Sequence, residues 1–397
     1  MRKKPAKKHG LKKPGGSRAS AGARKFILKY GELWLKSEFV RNRFIKTLAE
    51  NVSRQLRMAG IKEFRLERTR DMLILDCANP KAPQTLSKIF GITWFALAFE
   101  TKPEMKAMEK AVLALAKKIG REQTFAIRAS RSDKSLAFTS KDVENEMGKN
   151  VDRKVDLSNP DVTIFVELRK GMAYVYSEKL KGAGGLPYGV TGRVLSLLSG
   201  GIDSPVASWL MMKRGCSVDF VHYYVNESGV AKIQGLVKKL GEYAPAKLML
   251  YSVPFASIQE AIVKNCDTHF TCVLCKRLMY ITACSLAKET KAKALVTGEN
   301  LAQVASQTLD NLVANDDAVS MPKFRPLLTM DKTETIALAN KIGTYDLSIR
   351  EAHACRFVPR KPATNAKKEI IDREANKIKN LDKIIAKAIA SSIKSTV

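Results

Sequence analysis

The chain has 397 residues, 69 Lys+Arg against 39 Asp+Glu, a formal net charge of +30 and an apolar fraction of 45%. That apolar content excludes bulk disorder and supplies a core for each of the two or three domains this length predicts. No run of about 20 apolar residues reads as a membrane span and no apolar leader opens the chain, so membrane and secreted classes are set aside and a cytoplasmic setting is expected. The charge excess fits a polyanionic partner, most simply nucleic acid. Of the seven cysteines, a close pair in a reducing compartment points to metal or catalysis before a structural disulfide.

In chain order, residues 1–24 carry nine Lys/Arg and no acid and read as a disordered basic tail. KFILKY reads as a strand, and a helix is expected over Ser37–Met58 with Phe39, Phe44, Leu48, Val52 and Leu56 on one face. Strands follow near Phe64–Arg68 and Met72–Leu75, then a short helix at Leu86–Phe90 and a strand at Thr93–Phe99. Helices at Glu104–Ile119 and Lys141–Lys149, with strands at Thr124–Ala129, Val162–Leu168 and Met172–Ser177, complete a second small α+β unit. The two α+β domains are placed at 25–72 and 73–179, and the Gly-rich string 180–190 reads as a linker.

From residue 191 to about 365 strand and helix alternate: strands Arg193–Leu198, Val218–Val225, Lys247–Val253 and Ala294–Thr297, helices Pro205–Arg214, Lys232–Gly241 and Cys275–Thr290. This alternation predicts an α/β domain with a doubly wound parallel sheet. Residues 366–397 repeat apolar residues at helical spacing and are expected to form a terminal helix.

One string dominates the chemistry. In VLSLLSGGIDSPVASWLMMKRG (194–215) an apolar strand runs into Ser199-Gly200-Gly201, then Asp203-Ser204, then a helix. Two glycines let the backbone approach a ligand, and the helix start offers free N–H groups and a positive dipole end to an anion. Neither the Walker spacing nor GxGxxG is present. A second string, TGENLAQVASQTLDN (297–311), follows a strand end, where α/β sheets bind ligands; Gly298 allows close approach, and Gln303, Gln307 and Asn311 recur at helical spacing. A third, 324–349, reads as a loop and a helix capped at Thr329 or Asp331.

SGGIDS resembles the PP-loop of the ATP pyrophosphatases, and the strings in this order resemble the tRNA 4-thiouridine synthetases, the ThiI family. KYGELWLKS…RNRF is similar to that family's ferredoxin-like domain, and the stretch from FGITWFALAFE to the linker is similar to its THUMP domain. The resemblance covers residues about 25–365. It implies ATP and tRNA as substrates, Mg²⁺ at the phosphates, and adenylation of uridine 8 before sulfur replaces the C4 oxygen. It implies nucleotide contacts at Leu197, Leu198, Ser199, Gly200, Gly201, Asp203, Ser204, His222, Tyr223, Lys276, Gly298 and Gln307. Lys276 and Arg277 are expected to stabilise developing negative charge, and Asp203 to orient Mg²⁺ or the loop. Other PP-loop sulfur transfers, to 2-thiouridine or toward thiamine, and a non-catalytic tRNA-binding protein remain alternatives.

Too few residues follow this region for a rhodanese-like domain, so the sulfur route is expected to run through Cys272 and Cys275 (CxxC) and Cys355. The pair permits a redox couple, zinc with a fourth ligand from Cys266, His269 or His353, or an iron–sulfur cluster. A three-cysteine cluster matches some relatives and leaves one iron open to hydrosulfide, with sulfide as the donor; a persulfide on Cys355, fed by a cysteine desulfurase, is the other route. Cys77, Cys216 and Cys284 read as small buried hydrophobes. A homodimer is a further expectation.

Overall fold

The computed structural model describes residues 24–31, 36–69, 71–132, 134–169, 171–226, 229–350, 355 and 357–397. Apart from Arg24, the basic tail lies outside them, as do residues 32–35 of the KYGELWLKS string and His353. Two compact units emerge: one holds the residues up to 27 with 96–179, the other 28–95 with 180–397.

The first elements among the described residues are β1 (Arg24–Tyr30), α1 (Glu38–Met58), β2 (Arg65–Arg68), β3 (Leu73–Asp76), α2 (Ala82–Leu86) and β4 (Ile92–Thr101). Phe44, Leu48, Val52 and Leu56 of α1 are buried, as their four-residue spacing requires, but Phe39 is 78% exposed. It sits five residues ahead of Phe44 and therefore well round the helix from that stripe. Helix α2 ends at Leu86, where the sequence suggested one to begin; Pro83 occupies its first turn, the position proline tolerates.

In the unit of 96–179, the end of β4 pairs with β7 (Met172–Tyr176), β7 with β6 (Val162–Arg169), and β6 in parallel with β5 (Phe125–Arg131). Helices α3 (Met105–Ala116) and α4 (Ser140–Lys149) share one core with this sheet, built on Met108, Val112, Val143, Met147, Ile164 and Val166. Thr139 and Asp142 close a capping box at the start of α4.

The expected linker is a packed strap. β8 (Leu180–Lys181) pairs with β4 and Leu186 is buried. A Cβ on Gly182 would lie 2.1 Å from the Ile92 carbonyl oxygen, and one on Gly185 2.1 Å from that of Lys213, so only glycine lets the strap lie this close.

The remaining chain forms β9 (Gly192–Leu197), α5 (Asp203–Lys213), β10 (Cys216–Tyr224), α6 (Val230–Gly241), β11 (Met249–Pro254), α7 (Ala256–Asn265), α8 (Thr271–Thr290), β12 (Leu295–Val296), α9 (Leu309–Asp316), β13 (Lys323–Phe324), α10 (Lys332–Ile342), α11 (Tyr345–Ser348), α12 (Lys368–Asn376), α13 (Leu381–Ala390) and β14 (Ile393–Thr396). The sheet order is β13-β12-β9-β10-β11-β14, parallel except for β14, which runs antiparallel to β11. Apolar residues of α5, α6 and α10 pack on one face and those of α7, α8 and α13 on the other, which is the doubly wound arrangement. The terminal segment is not the single helix its periodicity suggested. Asn380 takes a left-handed backbone (φ +58°) that separates α12 from α13, and the chain then closes the sheet edge as β14.

Among the described residues one segment, Thr268–Thr290, is long and apolar enough to cross a membrane by length and composition, which the sequence had not suggested. Its Val273, Leu274, Leu278, Ala283, Leu286 and Ala287 are buried in the core beneath the sheet.

Candidate active site

The first and fourth strands of the parallel sheet, β9 and β12, lie side by side while the chain leaves them in opposite directions across it. Such a switch point opens a crevice at the carboxyl ends of the strands, where open α/β sheets take their ligands. The loops after these two strands are the two glycine-bearing strings.

After β9, Ser199 and Gly201 are exposed and Ser204 is buried. The Ser204 hydroxyl accepts from the Ser199 N–H at 2.9 Å and lies 3.0 Å from the Ser199 hydroxyl, which in turn accepts from the Gly201 N–H at 3.3 Å. These bonds curl the loop over the start of α5, whose first N–H groups have no intrahelical acceptor and face an anion with the positive dipole end behind them. Pro205 is the third helical residue, still within the turn where its missing N–H costs nothing. Leu197 and Leu198 lead into the loop, with Leu198 buried.

After β12, Gly298 lies against the same helix start: a Cβ there would stand 2.6 Å from the Ser204 nitrogen and 2.8 Å from the Asp203 carbonyl carbon. From the other flank, His222 at the end of β10 donates through Nδ1 to the Leu198 carbonyl at 2.9 Å. Burial holds its pKa below the usual imidazole value, so the ring is a neutral donor.

Asp203 meets two partners. Lys332, at the start of α10, lies 2.7 and 2.9 Å from its carboxylate oxygens, and the Gln303 amide donates to it at 3.1 Å. Gln307 accepts from the Asn300 N–H at 3.4 Å and so shapes the loop around Gly298. Gln303 precedes a 3-10 turn (Ala305–Gln307) and Asn311 belongs to α9, so the three residues do not share the single helix face their spacing suggested. The third string caps as expected at Asp331, in a capping box with Glu334.

Glu299, which the sequence reading passed over, is 3% exposed beside this loop. Its carboxylate meets Lys276 at 2.9 Å and Arg325 at 2.6 Å, and accepts from Tyr280 at 2.6 Å and Thr297 at 3.0 Å. Burial alone would raise its pKa, but the charges of Lys276 and Arg325 and the Tyr280 hydroxyl outweigh it and hold the carboxyl at about 2. Lys276 is thereby fixed near the loop. Arg277 is not available to a developing charge: it is buried, donating to the Ala314 carbonyl at 2.8 Å and paired with Asp372. Tyr223 also departs from expectation, because its hydroxyl donates to the Met279 carbonyl at 2.7 Å and its ring packs on Phe255, 4.8 Å between centroids. Neighbouring residues on a strand point to opposite faces, so with His222 turned to the loop Tyr223 turns to the core.

The three cysteines are neighbours in the fold, close enough to influence one another's charge. Cys272 and Cys275 sit one turn apart on the first turns of α8. The Gln259 amide of α7 lies 3.8 Å from the Cys275 sulfur and 3.9 Å from that of Cys355, so one nitrogen spans both. The segment that follows Cys355 is anchored at residues 361–366. His269 touches the Lys361 carbonyl at 2.6 Å through Nδ1, Ala363 N–H donates to the His269 carbonyl at 3.0 Å, and buried Asn311 bonds both Ala363 and Ala366. Burial pushes the Cys275 thiol up to about 11, and burial and neighbouring Cys355 raise that of Cys272. Cys266 donates to the Glu374 carbonyl at 3.2 Å, and His269 Nδ1 bonds the Lys361 carbonyl, which leaves its Nε2 as the ring's remaining ligand atom. Among the described residues no group of three His, Cys, Asp or Glu stands at metal-binding distances. Cys77 and Cys216 are buried as expected, and Cys284 is half-buried.

Against known proteins, the profile described as "Thiamine biosynthesis protein (ThiI)" matches residues 189–380, a THUMP domain matches 102–178, and a ThiI ferredoxin-like domain matches 25–96. A probable tRNA sulfurtransferase of Methanosarcina mazei is 36% identical over 381 residues, 92% of this chain and 94% of that protein. The chain belongs to the tRNA sulfurtransferase (ThiI) family. Another probable tRNA sulfurtransferase, from a Thermoanaerobacter strain, is 40% identical across 88% of this chain and 94% of its own. A crystal structure of a 4-thiouridine synthetase–RNA complex with bound ATP superposes with a TM-score of 0.87 at 30% identity, covering 94% of this chain and 100% of that one. Membership accounts for the order of the elements: a ferredoxin-like domain, a THUMP domain, then the α/β domain with the SGGIDS loop at its switch point.

Proposed function

We propose that this chain is an ATP-dependent tRNA sulfurtransferase that makes 4-thiouridine at position 8 of tRNA. One observation carries the reading. The Ser199–Ser204 anion cradle and Gly298 meet at the switch point of the sheet, in a chain of the tRNA sulfurtransferase family. The C4 oxygen of uridine is a poor leaving group. Attack of that oxygen on the α-phosphorus of ATP releases pyrophosphate and converts it to an adenylate, which leaves as AMP when sulfur attacks C4. Pyrophosphate is held by the loop N–H groups and the start of α5. The Asp203 carboxylate, now paired with Lys332, would hold Mg²⁺, which would offset the charge of the phosphates. Lys276, braced by Glu299, offsets charge on the α-phosphate.

Cys272, Cys275 and Cys355 are the sulfur site in this reading. Their donors are all sulfur, which fits an iron–sulfur cluster with three thiolate ligands better than a hard cation. When bound, such a cluster would supply iron able to carry hydrosulfide. The high thiol pKa of Cys275 means its proton must leave for a ligand role, which metal binding brings about.

The test is Asp203→Ala assayed for pyrophosphate release and for 4-thiouridine by retardation of tRNA in a mercury-containing gel. The expected result is tRNA that still binds, with neither product formed. Undiminished 4-thiouridine in this variant would refute the assignment. Iron and sulfide assays on anaerobically purified protein, beside Cys272→Ala and Cys355→Ala, test the sulfur site: both variants should lose iron and thiolation together while ATP still binds.

A further inference from the structure

The glycine-rich strap after β8 has no part in the site above. It forms one wall of a groove of about 550 Å³ whose lining includes Lys181, Lys213, Arg214 and Lys341. These cations come from three separate places: β8, the C-terminal end of α5, and the last turn of α10. A lysine at a helix C-terminus is ordinarily explained by the dipole. That explains one cation for each helix end, but not why two helix ends and a strand bring theirs to the same groove.

The grouping carries an electrostatic cost. Burial and the charges of Lys181 and Lys213 hold the Lys341 ammonium below its usual pKa. Among the described residues no carboxylate pairs with Lys181, Lys213 or Lys341. Lys213 and Lys341 both stand over the buried Trp209 ring, 5.4 and 5.9 Å from its centroid, which keeps their stems in place. Part of the groove wall is bare backbone at Gly182, Gly184 and Gly185, the last two at φ +69° and +73°, and a Cβ on Gly185 would stand 2.6 Å from the Lys213 stem. Clustered cations around an open backbone wall suit a chain of phosphates, which offsets each charge in turn.

We propose that this groove binds backbone phosphates of the RNA substrate. The inference rests on the tRNA reading above and adds a contact surface within the α/β domain itself. α5 ties the two sites together, because its N-terminus faces the nucleotide and its C-terminus supplies Lys213. At 1.5 Å per residue its 11 residues set the groove about 16 Å from the nucleotide loop, a span that a short run of nucleotides covers.

The test uses the full chain carrying Lys181→Gln and Lys341→Gln together, with tRNA binding measured across a salt series and ATP half-saturation measured by pyrophosphate release at saturating tRNA. Losing two phosphate contacts should lower tRNA affinity about five- to tenfold at low salt and flatten the log–log salt slope by roughly 1.5. ATP half-saturation and the thermal transition should not move, and the Lys181→Arg/Lys341→Arg protein should bind as wild type. Unchanged tRNA affinity and slope in a folded Gln variant would overturn the groove alone. A matching rise in ATP half-saturation would overturn it too, by assigning the cations to the nucleotide. A wild-type protein that binds no tRNA would instead refute the substrate reading on which the groove depends.

Discussion

At the scale of single residues, Glu299 shows how a charge can be indispensable without touching substrate. Its two cations and two hydroxyls are satisfied only while it is ionised. Glu299→Gln keeps the shape and removes the charge, leaving Lys276 and Arg325 facing a neutral amide. Breaking a buried pair in this way costs about 3 kcal/mol or more. The variant should melt earlier and lose adenylation beyond what its stability explains, as a lower kcat at saturating ATP, because Lys276 is no longer held. The pH dependence has a definite sign. A carboxyl held at about 2 in the fold and near 4.3 when unfolded stabilises fully above the unfolded value, and loses that contribution as pH falls from about 4.3 toward 2. An acid titration of stability in wild type and Glu299→Gln checks this: the wild-type advantage should vanish at the acid end. Equal stability of the two at pH 7 would refute the bracing role.

At the scale of elements, the decisive contact is loop against helix. Gly298 has an ordinary backbone, so its requirement is for space rather than for a left-handed conformation. Gly298→Ala puts a carbon 2.6 Å from a backbone nitrogen of α5, an approach that only a shift of the loop or helix relieves. The expected outcome is weakened ATP binding with tRNA affinity kept, read by nucleotide titration and tRNA retention on the same preparation. An ATP affinity equal to wild type would mean that the two strings do not form one site. This contact also marks what the sequence could and could not reveal. The strand–SGGIDS–helix string was legible because the chemistry of an anion cradle is local: strand, turn glycines and helix start are consecutive residues. Glu299 was not, because nothing near it in sequence announces Arg325 or Lys276 as partners. Arg277 and Tyr223 were misjudged for the same reason, since whether a side chain faces the ligand or the core is decided by the layer packed on it. Asn311 and His269 anchor the segment after Cys355 through hydrogen bonds to distant backbone, and Gln259 reaches the Cys275 and Cys355 sulfurs, contacts that leave no periodic mark. The terminal helix was over-extended because apolar spacing continues past Asn376, where α12 ends, and the left-handed Asn380 then starts a separate helix.

At the scale of the whole molecule, the +30 charge is a property of the surface at large and not of the nucleotide site. The loop proposed to hold ATP is built from hydroxyls, backbone N–H groups and a carboxylate, and the charges of its two lysines, Lys332 and Lys276, are each already offset by an acid. The two substrates should therefore respond to salt differently. An RNA footprint of six to ten phosphates releases its counterions on binding, which lowers affinity by about 10³–10⁵ between roughly 50 and 200 mM salt. ATP meets few cations and should weaken far less over the same range. Residues 1–24 add nine basic and no acidic side chains but none of the groups proposed for chemistry. Their deletion should flatten the tRNA salt slope and leave 4-thiouridine formation intact at low salt and saturating tRNA. Binding isotherms for both substrates at four salt concentrations, on full-length and shortened protein, decide the matter. A tRNA affinity that stays flat with salt would mean that the excess charge serves something other than the nucleic acid, whatever the nucleotide loop does.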